Sequence, residues 1–247
     1  MDTEKSNLLV SAINKSKRIV AFTGAGVSVP SGIPDFRSAN GLYSTKFGLF
    51  SPEEVVSHDF FFEHNKEFFE FYLQKMVYPD AQPNAMHKLL ATLENMGKLS
   101  CVITQNIDGL HQRAGNKHVC ELHGTVHKNT CTHCGKKFEL EYMLKRQTCD
   151  SCGALIKPDV VLYGEMLDDG VIARAIGEIR KADMFLVIGT SLVVYPAAGL
   201  VNYFKGETTA LINKSSTSFD GHADIILHED CAEVAKYVID RLTVAKM

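Results

Sequence analysis

Two pairs of cysteines restrict the fold of this chain more than any other feature of its sequence. Cys131 and Cys134 form one CxxC pair, and Cys149 and Cys152 form a second pair after a gap of fourteen residues. A two-residue spacer lets both thiolates of a pair point at one ion, and two such pairs complete a tetrahedron. The pattern therefore predicts a small module folded around one structural Zn²⁺ with no open coordination position.

Other interpretations of the cysteines remain open. His133 lies inside the first pair and is an alternative ligand. A redox CxxC usually lies near a strand–helix junction, and neither pair does. Zinc binding at such a site contributes on the order of 10 kcal/mol to folding, which a module with few apolar residues needs. We expect Cys101, Cys120 and Cys231 to be ordinary buried residues.

Around the cysteine module, short apolar strands alternate with amphipathic helices. This alternation predicts a doubly wound parallel α/β sheet of the Rossmann-like kind. We expect strands at 18–23, 101–104, 184–189, 209–213 and 224–228, and helices at 2–16, 84–96 and 230–245.

Two stretches interrupt the alternation. Residues 34–80 are a loop followed by an aromatic-rich segment, and residues 126–157 hold the cysteines with little strand or helix pattern. We expect both to pack together as a smaller domain, made of a cofactor loop with a helical insert and a zinc module. The Rossmann-like domain then comprises residues 1–33, 81–125 and 158–247.

Composition excludes some classes of function. The chain has 247 residues, 45% of them hydrophobic, which is typical of globular proteins. Its net charge is −3, so a basic surface for nucleic acid is not expected. No apolar run reaches the roughly 18 residues of a membrane helix, and no signal peptide is recognisable. We expect a cytoplasmic protein without membrane or nucleic-acid partners; the oligomeric state is not fixed, although a monomer is favoured.

A glycine turn follows the first strand. Gly24, Ala25 and Gly26 come directly after strand 18–23, where an α/β sheet brings backbone N–H groups close to a pyrophosphate. The full GxGxxG pattern fails because position 29 is valine, so a turn without a ligand stays an alternative. In the stretch that follows, Arg37 can pair with phosphate, Phe36 can shield a ribose from water and Asp35 can cap the loop.

Polar residues follow two further strands. Gln105, Asn106 and Asp108 come after strand 101–104, and the carboxyl ends of such strands line a ligand crevice. An amide ligand such as nicotinamide would satisfy these groups, and an Asx turn entering a helix is the alternative. His123 stands at another strand end and is a candidate general base, unless it is a structural histidine.

These blocks together resemble the sirtuins, a family of NAD-dependent protein deacylases. The likeness is closest to the short bacterial members, covers nearly the whole chain and includes the four cysteines. The matching blocks, in the family's order, are GAGVSVPSGIPDFR (24–37), TQNIDGLHQRAG (104–115), ELHG (121–124), KPDVVLYGE (157–165) and GTSLVVYPAAG (189–199).

The resemblance implies a binding site for NAD, which is consumed as a co-substrate. The acetyl group of a lysine passes to ADP-ribose, nicotinamide leaves and inhibits, and His123 acts as base, with Asn106 and Asp108 as further catalytic residues. The residues implied to contact NAD are Gly24, Ala25, Gly26, Val29, Ile33, Asp35, Phe36, Arg37, Gln105, Ile107, Asp108, His123, Gly189, Thr190, Ser191, Asn213, Cys231 and Ala232.

The resemblance also implies that an acetylated protein binds as an extended peptide that adds to an exposed strand-like edge. Family members that prefer succinyl or malonyl lysine resemble one another in a Tyr-x-x-Arg pair, which Phe69 and Tyr72 replace here. Uncharged acyl groups are therefore favoured, although Lys75 lies one turn away and keeps the question open. The residues implied to contact substrate are Val160, Val161, Tyr163, Gly164, Glu165, Phe69 and Tyr72.

Four other functions stay under consideration. The same site can carry out mono-ADP-ribosyl transfer or remove longer uncharged acyl groups. A non-catalytic NAD-responsive module predicts a lost base or pocket carboxylate, and both His123 and Asp108 are present. A zinc-ribbon nucleic-acid module is disfavoured because no basic cluster surrounds residues 131–152.

Overall fold

A computed structural model of the chain describes residues 2–36, 41, 42 and 46–242. In this part of the chain nine strands form two sheets. They are β1 (Ile19–Thr23), β2 (Leu99–Thr104), β3 (Val119–Glu121), β4 (Gly124–Cys131), β5 (Lys137–Glu139), β6 (Ile156–Val160), β7 (Met184–Ile188), β8 (Thr208–Ile212) and β9 (Ile225–Leu227).

Nine α-helices accompany the strands within the same described ranges. They are α1 (Thr3–Lys15), α2 (Pro52–Val55), α3 (His58–Glu63), α4 (Asn65–Lys75), α5 (Ala85–Asn95), α6 (Leu110–Ala114), α7 (Leu140–Met143), α8 (Asp169–Lys181) and α9 (Cys231–Ile239). Short 3₁₀ turns follow β1 at Ala25–Val27 and Val29–Ser31.

The larger sheet is parallel and has the strand order β3-β2-β1-β7-β8-β9. Every residue of the central strands β1 and β7 is buried, as expected for strands covered on both faces. Helices α1, α5 and α9 contribute to the core on one face, and α8 contributes to the core on the other. The predicted doubly wound α/β sheet is thus confirmed. We call this sheet with α1, α5, α6, α8 and α9 the large region.

The second sheet is antiparallel, in the order β5-β4-β6. With α2, α3, α4 and α7 it forms the small region, whose core combines the aromatic helices with the cysteine module. Phe61 and Phe68 pack edge to face at 5.0 Å, and Met143 is fully buried in the same cluster. The two interrupting stretches of the sequence therefore do pack together.

Residues 126–157 show little strand or helix pattern in the sequence, yet most of β4, all of β5 and α7, and the first two residues of β6 lie there. These strands are short and half polar: Lys137 and Glu139 flank a single buried Phe138 in β5. Turns at the cysteines separate them, so no apolar run marks them in the sequence. The division at residues 157 and 158 stays a prediction, and Val160 and Leu162 beyond it pack in the hydrophobic cluster of the small region. No helix within the described ranges is long and apolar enough to cross a membrane.

Candidate active site

A cavity of about 650 Å³ opens at the carboxyl ends of β1, β2, β7 and β8. Parallel α/β sheets bind ligands at this edge. The volume of the cavity is within the range of pockets that bind cofactors and other small molecules. Most of the predicted site residues line it: Gly24, Ala25, Gly26, Val29, Ile33, Asp35, Phe36, Gln105, Asn106, Ile107, Asp108, His123, Val160, Val161, Tyr163, Gly164, Glu165, Gly189, Thr190, Ser191, Asn213 and Cys231.

Three of the described residues predicted to contact NAD or substrate are not brought to this cavity. Among the residues that the structure describes, the cavity lining does not include Ala232, Phe69 or Tyr72. Phe69 and Tyr72 are buried in the aromatic core of the small region, where the Tyr72 ring stacks on Phe68 at 5.7 Å. Burial raises the pKa of Tyr72 far above its usual range. Arg37 lies outside the described residues.

Three glycines let the turns after β1 and β7 touch. Gly26 N donates to Gly189 O at 2.8 Å, and a Cβ on Gly26 would lie 2.8 Å from Gly189 Cα. A Cβ on Gly24 would lie 2.7 Å from Thr190 Cβ. Gly189 itself has φ +60°, a conformation that favours glycine. The two turns therefore require glycine because backbone packs directly on backbone, and they form the floor of the cavity.

A polar network joins the glycine turn to the loop after β2. Ser28 Oγ donates to Asp108 Oδ2 at 2.6 Å and accepts from Asn106 Nδ2 at 3.0 Å. Asn106 N also donates to Thr104 Oγ1 at 3.0 Å. Ser28 is not among the predicted site residues, although its place two residues after Gly26 in the glycine turn was a usable signal. Ser28 lines the cavity and fixes the relative positions of Asn106 and Asp108.

The carboxylate of Asp108 accepts one hydrogen bond from Ser28 and a second one within its own loop. Its Oδ1 accepts from Leu110 N at 2.9 Å, so the Asx turn considered from the sequence is present and starts α6. Burial raises the pKa of Asp108, and the hydrogen bond from Ser28 opposes that rise. A carboxyl group that is desolvated and held by a neighbour is typical of functional sites.

The position of His123 defines which ring nitrogen carries its proton. His123 Nδ1 lies 2.9 Å from Gln105 O, and a carbonyl oxygen can only accept. The neutral ring therefore carries its proton on Nδ1, and Nε2 keeps its lone pair. Burial lowers the pKa of His123, with the hydrogen bond to Gln105 partly offsetting that effect. The ring is neutral at pH 7 and competent as a base.

Gln105 connects His123 to the turn after β7. Its side-chain Nε2 donates to Thr190 Oγ1 at 2.9 Å, while its backbone oxygen holds His123. Thr190 Oγ1 also accepts from Leu192 N at 3.2 Å. The side chains after β2, β3 and β7 are thus linked across the mouth of the cavity.

The segment after β6 runs between the two regions. Val161 N donates to His123 O at 2.9 Å, Tyr163 N donates to Val56 O at 3.0 Å, and His58 N donates to Tyr163 O at 2.9 Å. Tyr163 is 40% exposed and Met166 is 86% exposed. The backbone of this segment therefore joins the two regions, and the exposed side chain of Tyr163 lines the cavity.

The four predicted zinc ligands converge in the small region. The sulfurs of Cys131, Cys134, Cys149 and Cys152 lie within 4.8 Å of one another. The Sγ–Sγ distance is 3.5 Å from Cys131 to Cys152 and 3.7 Å from Cys134 to Cys149. A tetrahedral zinc with Zn–S of about 2.3 Å places its sulfurs about 3.8 Å apart. The donor set and its spacing therefore fit a closed structural zinc site, and all four ligands are thiolates without His133.

A comparison with protein families identifies the chain. The model described as "Sir2 family" matches residues 24–196, which include the glycine turn, His123 and the four cysteines. The chain is a member of the Sir2 family. Curated relatives of this Sir2 chain cover it almost completely. The "NAD-dependent protein deacetylase" of Clostridium acetobutylicum is 53% identical over 241 residues, which are 96% of this chain and 98% of the relative.

Solved Sir2 structures have the same fold. One that holds a deacetylated p53 peptide and 3'-O-acetyl ADP-ribose has a TM-score of 0.87 and 40% identity, covering 95% of this chain and 97% of the other. Another, described as Sir2 with p53 peptide and NAD+, has a TM-score of 0.83 and 40% identity, covering 94% and 96%. The parallel sheet and the second, smaller sheet are therefore the arrangement of this family.

Proposed function

We propose that this Sir2-family chain is an NAD-dependent protein deacetylase, which transfers the acetyl group of a protein lysine to ADP-ribose and releases nicotinamide. One observation carries the proposal. A single cavity brings together the glycine turn, the Asn106–Asp108 loop, His123 and the edge at 160–165. A dinucleotide site and a peptide site that share one candidate base are what this reaction requires. The relatives named as NAD-dependent protein deacetylases support the same activity.

The glycine turn suits the pyrophosphate of NAD. Gly24 and Gly26 let the turns after β1 and β7 pack together, and Ala25, Thr190 and Ser191 line the cavity at this contact. On this arrangement we assign the adenosine ribose to Asn213, which directly follows β8 and lines the cavity. Backbone N–H groups in such turns stabilise phosphate charge.

The loop after β2 suits the nicotinamide. Its carboxamide is a donor and an acceptor, and Asp108 together with the backbone of Ile107 can meet both needs. Ser28 and Asn106 hold Asp108 in place, so this pocket is organised before the ligand arrives. We propose that nicotinamide is both a product and an inhibitor at this pocket.

His123 is the proposed base. NAD supplies the ribosyl carbon from which nicotinamide leaves. It also supplies the neighbouring hydroxyl that receives the acetyl group. His123 Nε2 has the lone pair needed to take a proton from a ribose hydroxyl, because Nδ1–H donates to Gln105 O. General-base assistance of this kind typically accelerates a reaction by roughly 10²–10⁴-fold. Since burial lowers the pKa of His123, the acid limb of kcat/KM should lie below pH 6.5.

The acetylated lysine is proposed to enter beside the segment 160–165. Val160, Val161 and Leu162 give this wall an apolar surface, which suits the methylene chain of the lysine and an uncharged acyl group. Phe69 and Tyr72 bear on acyl choice only indirectly, since they are buried behind the cavity wall rather than in it. Lys75 lines the cavity, so a charged acyl group must be included in the test.

The test is to incubate the zinc-loaded chain with acetyl-lysine peptide, with and without NAD, and to follow peptide and nucleotide by mass spectrometry. The expected result is loss of one acetyl group per peptide, with equal amounts of nicotinamide and acetyl-ADP-ribose. A succinylated peptide of the same sequence should react more slowly. An unchanged acetyl peptide, or ADP-ribose attached to protein, contradicts deacetylation and indicates a transferase instead.

A variant separates the base from binding. His123→Ala should bind ADP-ribose like the wild type and lose at least about 99% of turnover, following the size of general-base effects. His118→Ala is the control, since His118 is largely exposed and bonds to Glu94 away from the cavity lining. A His123→Ala protein with wild-type kcat removes His123 from its proposed function.

A further inference from the structure

Asn84 touches the wall of the cavity from behind. Its side-chain Nδ2 donates to Val27 O at 2.8 Å and to Ser31 Oγ at 2.8 Å. Val27 and Ser31 flank Ser28 and Val29, which line the cavity. Both amide hydrogens of Asn84 are therefore donated to residues 27–31, the loop beside which the cofactor is proposed to bind.

The remaining polar atoms of Asn84 fix its position at the start of α5. Asn84 Oδ1 accepts from Met86 N at 2.9 Å, and Asn84 N donates to His87 Nδ1 at 3.3 Å. This reciprocal pair is a capping box. The cap restricts the side-chain rotamer, so the amide hydrogens point at the loop whether or not a ligand is bound.

His87 connects this cap to the end of β1. Its side chain is fully buried, and its ring centroid lies 4.8 Å from that of His111. His111 Nε2 lies 3.0 Å from Thr23 Oγ1, and Thr23 is the last residue of β1. Burial lowers the pKa of His87 to about 4, so its Nδ1 is free to accept from Asn84 N at neutral pH. Both ends of the segment 23–31 are thereby attached to α5 and α6.

The segment itself has little regular structure to hold it. Residues 24–32 form two consecutive 3₁₀ turns, in which i→i+3 hydrogen bonds have poorer geometry than those of an α-helix. A loop that is ordered before its ligand arrives avoids the entropic cost of ordering on binding. Contacts from outside the segment therefore influence how tightly the loop binds a ligand.

We propose that Asn84 is a positioning residue for NAD: its side-chain amide holds residues 27–31 in the conformation that receives the dinucleotide. The inference rests on the proposed function, since it names a residue that supports the same cofactor site. It predicts a residue outside the cavity that changes the affinity for NAD and leaves the affinity for the peptide unchanged.

The test separates the loop contacts of Asn84 from its capping contact. Asn84→Ser keeps an N-cap residue of similar preference, but the serine hydroxyl is too short to reach Val27 O. Asn84→Ala removes both contacts. Asp168→Ala removes the N-cap of α8, which bonds to Val171 N and does not contact the cofactor loop. All three proteins are measured zinc-loaded, with ADP-ribose as the binding probe in calorimetry.

Asn84→Ser should raise the Kd for ADP-ribose and the KM for NAD about tenfold, which corresponds to ~1.4 kcal/mol, because the loop must then be ordered when the ligand binds. Its melting temperature should also fall, because both hydrogen bonds are present without ligand, and its KM for peptide should stay within error of wild type. Asp168→Ala should lower the melting temperature with unchanged Kd. A merely structural Asn84 would give the Asp168→Ala pattern.

Two failures can be told apart. A wild-type chain that binds neither NAD nor ADP-ribose overturns the proposed function. A wild type that binds both, with an Asn84→Ser protein that binds ADP-ribose equally well, overturns this inference alone. Ser31→Ala removes one partner without touching the cap, and it should raise the Kd by a smaller factor than Asn84→Ser.

Discussion

The large and small regions of this molecule are stabilised in different ways. Strands β1 and β7 of the large region are buried at every position, so hydrophobic burial on both faces of the sheet is sufficient to hold it. In the small region β4 alternates buried with half-buried and exposed residues, and two of its four cysteines are exposed. We therefore expect the small region to depend on the aromatic cluster and on zinc, and it places the proposed peptide edge beside the proposed cofactor site of the large region.

The sharpest way to break this comparison is to remove one zinc ligand. Cys149→Ala should lose zinc and unfold the small region, because three thiolates cannot close the shell and zinc contributes on the order of 10 kcal/mol. Cys149 and Cys101 are both buried cysteines, in the small and the large region respectively. The measurements are zinc per chain, limited proteolysis and deacetylation.

Cys101→Ala is the matched control. It deletes the same sulfur from the core of the large region and should cost only about 1 kcal/mol, with one zinc retained per chain. A metal-free Cys149→Ala protein that resists proteolysis like the wild type would show that the small region does not depend on the ion. A Cys101→Ala protein that lost zinc would show that the two regions are not independent.

The second prediction removes the cofactor site while the zinc stays. Gly26→Ala places a Cβ 2.8 Å from Gly189 Cα, so the turns after β1 and β7 must separate. We expect a loss of stability of roughly 1–3 kcal/mol, as for other overpacked sites. The Kd for ADP-ribose should rise far more than this loss implies, because the floor of the cavity moves. Unchanged affinity in calorimetry, with one zinc per chain, would contradict the assignment of this floor to the pyrophosphate.

The difference between the large and the small region also explains which features the sequence predicts well. Continuous apolar runs such as Met184–Ile188 and the glycine turn after β1 are local signals, and both lie where they were expected. The four cysteines also converge as predicted, because their spacing alone determines the geometry of each pair.

Other features depend on contacts that the sequence does not display. Strand β5 has three residues with one buried side chain, and it pairs with β4 only because the cysteine turns bring the two together. The burial of Tyr72 behind the cavity depends on how α4 packs on α3, which helical spacing does not specify. The hydrogen bond of Ser28 to Asp108 depends on how the loops after β1 and β2 meet.

The third prediction concerns acid. His87 is buried with a pKa of about 4, whereas an unfolded histidine titrates near 6.5, so the unfolded state binds more protons between these values. Stability should therefore fall as pH drops through this window, by about 2 kcal/mol from pH 7 to pH 5 for this group alone. His87→Gln keeps a similar volume without titrating. In urea unfolding, this variant should lose about 2 kcal/mol less stability than the wild type between pH 7 and pH 5. Equal losses for the two proteins would contradict the buried neutral state of His87.

The smallest expected effect comes from another glycine-to-alanine substitution. Gly177→Ala should stabilise the protein, whereas Gly26→Ala should destabilise it. Gly177 lies inside α8, and a Cβ added there meets no heavy atom of the described residues within 4 Å. Alanine at an unobstructed helix position is more stable than glycine by about 0.5–1 kcal/mol, since it loses less backbone entropy on folding. Gly177→Ala should raise the melting temperature by roughly 1–4 °C and leave zinc content and the Kd for ADP-ribose unchanged. If Gly177→Ala instead weakened ADP-ribose binding, α8 would be one of the elements that position the site. The weaker ADP-ribose binding of Gly26→Ala could then not be assigned to the glycine turns alone.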